Sequence, residues 1–355
     1  MKSKSTTNLF GMLCLFAFTV LGSLVDAYGQ EKLPIKIFVL AGQSNMQGKA
    51  RVELLKYQMM QPETEELFSQ FHQNGEFIVR DDVFIKFLDR SGGLTVGFGS
   101  PEKIGPELQF GFTMGDKFEQ PVLLIKTAWG GKSLYQDFRP PGAPDPDDAI
   151  VQKQLRNAQK RKPETKLEDI KDSYGMYYRE MIGDVKDTLN NLDAYVPGYK
   201  GQGYEIGGFA WFQGWNDMVN PDFVPAYTDL MAQFIRDVRR DLDVPDLPFA
   251  IGVLGVGGTN EEKRNERKEQ FKRNQAAVGE LDEFRNNVAI VHTDRLWDLE
   301  ADAVFKKGWK ENLEEWNKVG SDRPYHYLGS PKCYCRIGGA LAKALLDLES
   351  GSEDD

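Results

Sequence analysis

The chain has 355 residues, of which 41% are hydrophobic, and its formal net charge is -10. This composition is typical of a globular protein with a full core, and it excludes a collagen-like or wholly disordered chain. The acidic charge argues against nucleic acid or an anionic membrane surface as a partner, because both require a basic face.

The first 27 residues have the pattern of a secretory signal peptide. Lys2 and Lys4 form a basic start, an apolar stretch covers residues 9–25, and Ala27 fits a small-residue cleavage site. Cleavage after Gly29 is a second option. The rival interpretation is a membrane anchor, but the run is short for a span and no polar stop-transfer cluster follows. We therefore expect a secreted or periplasmic protein that does not insert in a membrane after cleavage.

Five short apolar runs predict buried strands. They are continuous rather than alternating, which is typical of a parallel sheet covered on both faces. Helical patterns lie between and after them, and this alternation predicts a doubly wound α/β fold. The predicted strands are Ile35–Ala41, Val122–Ala128, Ile206–Phe212, Pro248–Leu254 and Val288–Thr293. The predicted helices are Tyr174–Leu192, Phe223–Leu242, Glu261–Val278 and one capped by Ser330 that runs to Leu345.

Two segments do not fit the minimal pattern of this fold. Residues 51–118 contain an acidic helical stretch and two short apolar pieces that predict a small hairpin, and residues 135–173 are polar and proline-containing. Long insertions in an α/β domain commonly build the rim of a site, and the alternative is a solvent-exposed loop with no role in it. We predict one domain over residues 28–349, followed by a frayed acidic tail at 350–355.

A serine follows the first predicted strand in the sequence Gly42-Gln43-Ser44-Asn45-Met46. In an open α/β sheet, ligands bind at the carboxyl ends of the strands, so Ser44 lies where chemistry is expected. Helix capping is the alternative role for a serine at this position. Gly42 permits a close approach of the backbone.

The block AGQSNMQG resembles the nucleophile block of SGNH hydrolases, and more narrowly the branch of sialate O-acetylesterases and acetylxylan esterases, carbohydrate esterase family six. Further blocks match in the same order over residues 35 to 345. They are Gly105–Gly111 (GPELQFG), Lys126–Leu134 (KTAWGGKSL), Trp211–Asp217 (WFQGWND) and Tyr325–Tyr327 (YHY). The resemblance implies a three-layer α/β/α flavodoxin-like fold with a five-stranded parallel sheet.

The resemblance also implies a serine esterase that needs no cofactor. Ser44 would be the nucleophile and His326 the general base, and the developing oxyanion would be bound by three donors. These are the N–H of Ser44, the N–H of Gly130 or Gly131, and the side chain of Asn216.

The chain has only three histidines, so the choice of base is narrow. His72 lies in a polar segment and is expected at the surface, whereas His292 lies in the fifth apolar run and is expected in the core. His326 lies in a loop before the last predicted helix, where its ring can reach the crevice.

The acid of the triad is the weak point of the resemblance. Family members commonly have aspartate three residues before the histidine, where this chain has Arg323, or glutamate after the WxQG glycine, where it has Trp215. Asp322 and Asp217 are the nearest carboxylates to these positions. We favour Asp322 over Asp217, and a backbone carbonyl is the third option.

Aromatic and amide side chains flank the predicted site. Trp129 and Trp215 are expected to contact the apolar C–H faces of a sugar, with core packing as the alternative. Gln43 and Gln213 are expected to bind substrate hydroxyls or to support the serine loop. The sequence contains no metal-spaced His/Cys cluster, phosphate loop or dinucleotide fingerprint.

The sequence therefore predicts an enzyme that hydrolyses O-acetyl esters of a carbohydrate. The alternatives are an acetylxylan or other polysaccharide deacetylase, and a carbohydrate-binding pseudoenzyme, which the unusual acid position would favour. A phospholipase-like SGNH enzyme is disfavoured by the acidic charge and the lack of an apolar lid.

Overall fold

The computed structural model of the chain describes residues 33–259 and 265–351. The predicted signal peptide lies outside the described residues, as does most of the predicted acidic tail. Ser350 and Gly351 belong to the last helix, so that helix extends beyond its predicted end at Leu345. Within the described ranges, no helix is both long and apolar enough to cross a bilayer.

The strands combine long buried members with short peripheral ones. Strand β1 is buried at every position because its sequence IKIFVLAG is apolar except for Lys36. The strands are β1 Ile35–Gly42, β2 Ala50–Arg51, β3 His72–Gln73, β4 Glu76–Phe77, β5 Val83–Phe87, β6 Arg90–Gly93, β7 Lys103–Ile104, β8 Val122–Ala128, β9 Tyr204–Phe212, β10 Phe249–Val253 and β11 Val288–His292.

Seven of these strands form the main sheet, in the order β11-β10-β9-β1-β8-β5-β6. All neighbours in it pair in parallel except the hairpin of β5 and β6. The five predicted strands correspond to β1, β8, β9, β10 and β11. Taken alone they have the order 2-1-3-4-5, the flavodoxin-like arrangement, whose crevice lies between the first and third strands.

The sheet has seven strands, so the prediction of five was too low. The missed pair is the β5–β6 hairpin, which was predicted as a small hairpin and extends the main sheet beside β8. Lys86 interrupts the apolar pattern of β5, although its side chain is buried and paired with Asp184. Residues 51–118 therefore supply one edge of the main sheet.

The helices provide both outer layers. They are α1 Ser44–Gln47, α2 Val52–Gln58, α3 Glu65–Phe68, α4 Glu107–Lys117, α5 Asp148–Gln159, α6 Leu167–Ser173, α7 Met176–Leu189, α8 Leu192–Tyr195, α9 Trp215–Val219, α10 Tyr227–Leu242, α11 Glu266–Ala276, α12 Leu299–Lys306, α13 Leu313–Val319 and α14 Pro331–Gly351. The predicted helices correspond to α7 with α8, to α10, to α11 and to α14. The predicted start of the third helix, at Glu261, lies outside the described residues.

Alternating residues of β9 show that the sheet is covered on both faces. Phe209 and Trp211 contact Phe234 of α10. Gly208, which has the opposite orientation, faces Leu345 of α14 at a distance that leaves no room for a side chain. Helix α4 packs beside α14, and α7 and α11 pack beside α10. The result is a three-layer α/β/α fold with its core on both sides of the sheet.

Candidate active site

Ser44 lies at the crevice where the strand order reverses, between β1 and β9. It begins α1 directly after β1 and is 7% exposed. Gly42 precedes it with φ at 152°, and a Cβ there would lie 2.2 Å from the carbonyl oxygen of Phe212. Only glycine therefore allows β1 to end this close to β9, which places the serine at the carboxyl edge of the sheet.

His326 connects Ser44 to a carboxylate. Its Nε2 lies 3.1 Å from Ser44 Oγ, and its Nδ1 lies 3.1 Å from Asp322 Oδ1. A neutral imidazole with its proton on Nδ1 donates to Asp322 and accepts from the serine hydroxyl, which is the arrangement of a hydrolytic triad.

Asp322 is held in its ionised form by three partners. Its Oδ1 also accepts the N–H of Arg323 at 2.7 Å, and its Oδ2 lies 3.3 Å from Lys103 Nζ. Burial opposes ionisation, but the hydrogen bonds from His326 and Arg323 and the charge of Lys103 outweigh it and lower the pKa of Asp322 to about 2. The carboxylate is therefore charged at any pH at which an esterase works.

A turn with unusual backbone angles carries His326. Tyr327 and Leu328 both have positive φ, at 50° and 61°, which costs free energy for residues with a side chain. Buried contacts hold the turn in place: the hydroxyl of Tyr327 accepts the N–H of Gly255 at 2.7 Å and shares a hydrogen bond with Thr293 Oγ1 at 2.6 Å. The position of the imidazole is thus fixed by contacts with the ends of β10 and β11.

Asn45 joins the serine segment to the histidine turn. Its Nδ2 donates to the carbonyl of Tyr325 at 3.2 Å. The hydroxyl of buried Tyr334 lies 3.2 Å from both Asn45 Oδ1 and the carbonyl oxygen of His326. The residue after the serine therefore helps to position His326.

The two glycines after β8 occupy different places. A Cβ on Gly130 would lie 3.8 Å from Ser44 Cβ, so the backbone of Gly130 borders the serine. The carbonyl of Gly131 accepts from Asn216 Nδ2 at 2.8 Å, which orients the asparagine amide and leaves its second N–H for another acceptor. The backbone of Gly130 therefore adjoins the serine, and Asn216 is linked to the serine segment through its bond with Gln43.

The structure places Gln43 and Gln213 inside the protein and not in contact with solvent. Gln43 is 1% exposed, accepts the N–H of Gly214 at 3.0 Å and donates to Asn216 Oδ1 at 3.2 Å. Gln213 is 2% exposed and donates to the carbonyl of Lys132. Because both side chains are buried and hydrogen-bonded to neighbouring loops, they support the loops of the site and do not reach a substrate.

Asp217, the alternative acid, is bound elsewhere. It is 1% exposed and accepts the N–H groups of Leu134 and Tyr135 at 2.9 and 2.8 Å. Burial raises the pKa of Asp217 to about 6, although these bonds and one from Gln213 partly offset the effect. Its carboxylate holds the segment after Gly130 and Gly131 in place. Of Asp217 and Asp322, only Asp322 contacts His326.

The tryptophans of the site are both partly buried. Trp129 packs edge to face against Tyr177, with ring centroids 5.2 Å apart. The ring of Trp215 lies 5.5 Å from that of Tyr325, which is 39% exposed. Both tryptophans pack against the core, and Trp215 also lies beside the exposed Tyr325.

The other two histidines are not where they were expected. His292 is exposed because β11 ends there, so its ring is not in the core. His72 is half-buried in the β3–β4 hairpin, and neither ring nitrogen has a hydrogen-bond partner among the described residues. Across the same residues, no three metal-ligating side chains come together.

Sequence reasoning missed an ion pair beneath the serine. Lys126 and Glu107 are fully buried, with Nζ 2.6 Å from Oε2, and Lys126 also donates to the carbonyl of Gln47 at 3.0 Å. Burial lowers the pKa of Lys126 to about 8, against the opposing effect of Glu107. A lysine inside the apolar run VLLIKTA was the signal, because a charge in a buried strand requires a partner. Lys103 and Tyr325 had no comparable signal.

Two solved structures with TM-scores of 0.51 and 0.50 share this fold at low sequence identity. A protein from Arabidopsis thaliana has a TM-score of 0.51 and 16% identity, covering 88% of this chain and 98% of its own. NanS has a TM-score of 0.50 and 11% identity, covering 91% and 98%. A carbohydrate acetylesterase from Xanthomonas citri has a TM-score of 0.47 and 13% identity, covering 89% and 57%. No curated protein sequence matches the chain significantly.

A family model covers more than half of the chain. It describes a carbohydrate esterase, sialic acid-specific acetylesterase, and it matches residues 34–306. The match includes the serine segment, the glycine pair and Asn216, and it ends before Asp322 and His326. The chain belongs to the family of sialic acid-specific acetylesterases among the carbohydrate esterases.

Proposed function

We propose that the protein is a serine esterase that removes O-acetyl groups from a carbohydrate in the manner of a sialate O-acetylesterase. The observation that carries the proposal is the hydrogen-bonded line from Asp322 through His326 to Ser44. Family membership supplies the acetylated carbohydrate as the substrate class.

In the first half of the reaction, Ser44 Oγ attacks the acetyl carbonyl carbon while its proton passes to His326 Nε2. Asp322 keeps the imidazole in the required tautomer and stabilises the imidazolium. The N–H groups of Ser44 and Gly130 and the free N–H of Asn216 Nδ2 receive the oxyanion. When the tetrahedral intermediate collapses, the imidazolium returns the proton to the sugar oxygen, and the free alcohol leaves an acetyl group on Ser44.

In the second half, a water molecule attacks the acetyl-serine. His326 takes one proton from that water, and a second oxyanion forms at the same donors. Collapse breaks the bond to Ser44 Oγ, which regains a proton from His326, and the acetic acid that forms is released and loses its proton to water to give acetate. Trp129 and Trp215 are proposed to contact the sugar.

Substitution of Ser44 by alanine tests the proposal. We expect the Ser44→Ala variant to lose turnover of 4-nitrophenyl acetate by a factor of roughly 10⁵ to 10⁶, with unchanged circular dichroism and melting temperature. Ser91→Ala, at an exposed serine of β6, is the matched control and retains full activity. Retained turnover in the Ser44 variant would exclude the mechanism.

Acetate release from defined glycans identifies the substrate. We expect release from O-acetylated N-acetylneuraminic acid, and release from acetylated xylooligosaccharides alone would favour a polysaccharide deacetylase instead. Covalent labelling of Ser44 by a fluorophosphonate is expected as well. Failure of both labelling and acetate release would indicate a carbohydrate-binding pseudoenzyme.

We also propose that the protein is exported through a signal peptide at residues 1–27. The support is the sequence pattern of a basic start, an apolar run and Ala27 before the cleavage site. N-terminal sequencing of the mature protein is expected to begin at Tyr28, or at Gln30 if cleavage follows Gly29. An intact Met1 on the exported protein would contradict the proposal.

A further inference from the structure

The position of the base determines where the alcohol half of an ester lies. In the proposed mechanism the imidazolium protonates the leaving oxygen, so that oxygen comes within hydrogen-bond reach of His326 Nε2. The acyl carbon lies at Ser44 Oγ, on the other side of the same 3.1 Å contact. The carbon skeleton of the alcohol therefore extends from His326 away from the serine.

Tyr325 lies against that place. Its ring centroid is 4.5 Å from the centroid of the His326 ring, at an angle of 70° between the two planes. Its side chain is 39% exposed, and its carbonyl is tied to Asn45, so the backbone of this residue is fixed while the ring remains open to solvent. An exposed aromatic ring beside a base has no role in proton transfer and is available to a ligand.

Trp215 extends the same surface toward the oxyanion donors. Its ring lies 5.5 Å from the ring of Tyr325, with 37° between the planes. Trp215 directly precedes Asn216 at the start of α9. The two rings therefore form a continuous aromatic surface, which we call the Tyr325–Trp215 surface, along the side of the crevice where the alcohol lies.

We propose that the Tyr325–Trp215 surface binds the alcohol half of the ester, a pyranose ring that stacks its apolar C–H face on Tyr325. The inference rests on the proposed function because it uses the direction of proton return from His326. A pyranose fits this surface because it combines an apolar face with hydroxyl groups at its edge, and aromatic side chains offer a matching apolar body. Tyr325 is thus a substrate-binding residue that selects the leaving group and takes no part in bond cleavage.

Kinetics on two acetate esters tests this binding role. The substrates are methyl β-xylopyranoside acetylated on one ring hydroxyl, and ethyl acetate, which has no ring. The common 4-nitrophenyl ester is unsuitable because its own ring would stack on Tyr325. We expect Tyr325→Ala to lower kcat/KM for the xyloside about tenfold, mainly through KM, which corresponds to about 1.4 kcal/mol. Turnover of ethyl acetate should stay within about twofold.

Two further variants separate the contribution of the aromatic ring of Tyr325 from indirect effects on the rest of the site. Tyr325→Phe keeps the ring and is expected to retain activity on both esters within about threefold. Tyr204→Ala is the matched control, because Tyr204 is 45% exposed and begins β9 at the sheet edge opposite the site. An equal loss on both esters in Tyr325→Ala would overturn the inference, since Tyr325 would then only support His326. No loss on either ester would overturn it as well.

A binding measurement keeps the inference testable if the proposed esterase activity fails. Saturation-transfer NMR is recorded with the acetylated xyloside on Ser44→Ala and on Ser44→Ala/Tyr325→Ala. We expect saturation of the ring C–H protons in the first protein and its loss in the second. Equal or absent saturation in the two proteins would overturn the inference. Lack of turnover in the unmodified protein together with the expected NMR difference would overturn only the esterase proposal.

Discussion

The two sides of the site are held by different kinds of contact. The serine side, residues 42–47, is the end of β1 with the short helix α1, and its position follows from the main-chain pairing of β1 with β8 and β9. The histidine side, residues 321–330, contains no regular strand or long helix. It is held by side chains from separate parts of the chain, including Lys103, Asn45 and Tyr334.

This difference indicates how each half of the site can fail. Strand pairing is shared among many hydrogen bonds, so the serine side depends little on any single residue except Gly42, where a side chain would not fit. The histidine side includes two residues with positive φ, and it stays in place only because buried partners over-determine it. We therefore expect substitutions around the histidine to change catalysis while the fold persists, and substitutions beneath the serine to change stability first.

The largest expected effect is on the histidine side, at its acid. Asp322→Asn removes the acceptor of the Nδ1 proton and should lower kcat about 10³ to 10⁴-fold, as in other hydrolytic triads. Asp217→Asn is the matched variant, because it also converts a largely buried aspartate to its amide. It should destabilise the protein by about 1–3 kcal/mol through its lost N–H acceptor, and kcat below the melting temperature should change less than tenfold.

Steady-state kinetics and urea unfolding of both variants decide between the carboxylates. A greater loss of kcat in Asp217→Asn than in Asp322→Asn would indicate that Asp217, in the segment after β9, is the acid of the triad. The base would then depend on a regular strand end, as the serine does, and the contrast between the two sides would disappear.

The same contrast explains what the sequence could predict. Buried parallel strands have a strong signature, so all five predicted strands were confirmed, and the position of Ser44 at the end of one followed directly. The sequence favoured Asp322 over Asp217 but did not decide the acid, because the contact of Asp322 with His326 depends on a tight turn between them, in which the N–H of His326 donates to the carbonyl of Arg323 at 2.9 Å. The partners of the turn are also far away in sequence, and only the fold brings Lys103 to Asp322.

The sequence also could not show that Gln43 and Gln213 are buried, and the reason is related. The substrate role expected for Gln43 and Gln213 assumed that an amide near the serine faces the crevice. Gln43 instead satisfies the main chain at Gly214, because a buried loop that leaves a strand requires acceptors for its N–H groups. The residue type alone cannot distinguish a glutamine that faces the crevice from one that bonds to the buried main chain, since both orientations use the same donors and acceptors.

The ion pair of Lys126 and Glu107 beneath the serine is expected to affect stability more than catalysis. Glu107→Gln leaves Lys126 buried without its counter-charge, and we expect the free energy of unfolding to fall by about 3–5 kcal/mol. At temperatures where the variant is folded, kcat should change less than tenfold, because the pairing of β1 still places Ser44. Urea unfolding and kinetics at low temperature are the measurements.

Two matched variants give this prediction its controls. Glu164→Gln, at an exposed glutamate, should leave stability within about 0.5 kcal/mol of the parent. Replacing the pair by Glu107→Leu with Lys126→Met should recover part of the loss, because no charge then remains buried. A large fall in kcat with unchanged stability would show that the serine side also depends on one side chain.

The smallest expected effect is a change in pH dependence at Lys103. Asp322 faces His326, the N–H of Arg323 and Lys103, and Lys49 lies near by. Lys103→Met removes the positive charge from this group. The ionised form of Asp322 is then less favoured, because one of the partners that lower its pKa is gone.

Stability at low pH gives a readout with a defined sign. The pKa of Asp322 is lowered from 3.8 to about 2, so its contribution to stability is present above about pH 4 and is lost as pH falls toward 2. In Lys103→Met that pKa moves back toward its ordinary value, so the decline in stability between pH 4 and 2 should become shallower. Lys318→Met removes an exposed charge that pairs with Glu314, and it should leave this profile unchanged. If Lys103→Met also leaves the profile unchanged, the contacts within the turn alone keep Asp322 ionised, and the short strand β7 contributes nothing to the histidine side.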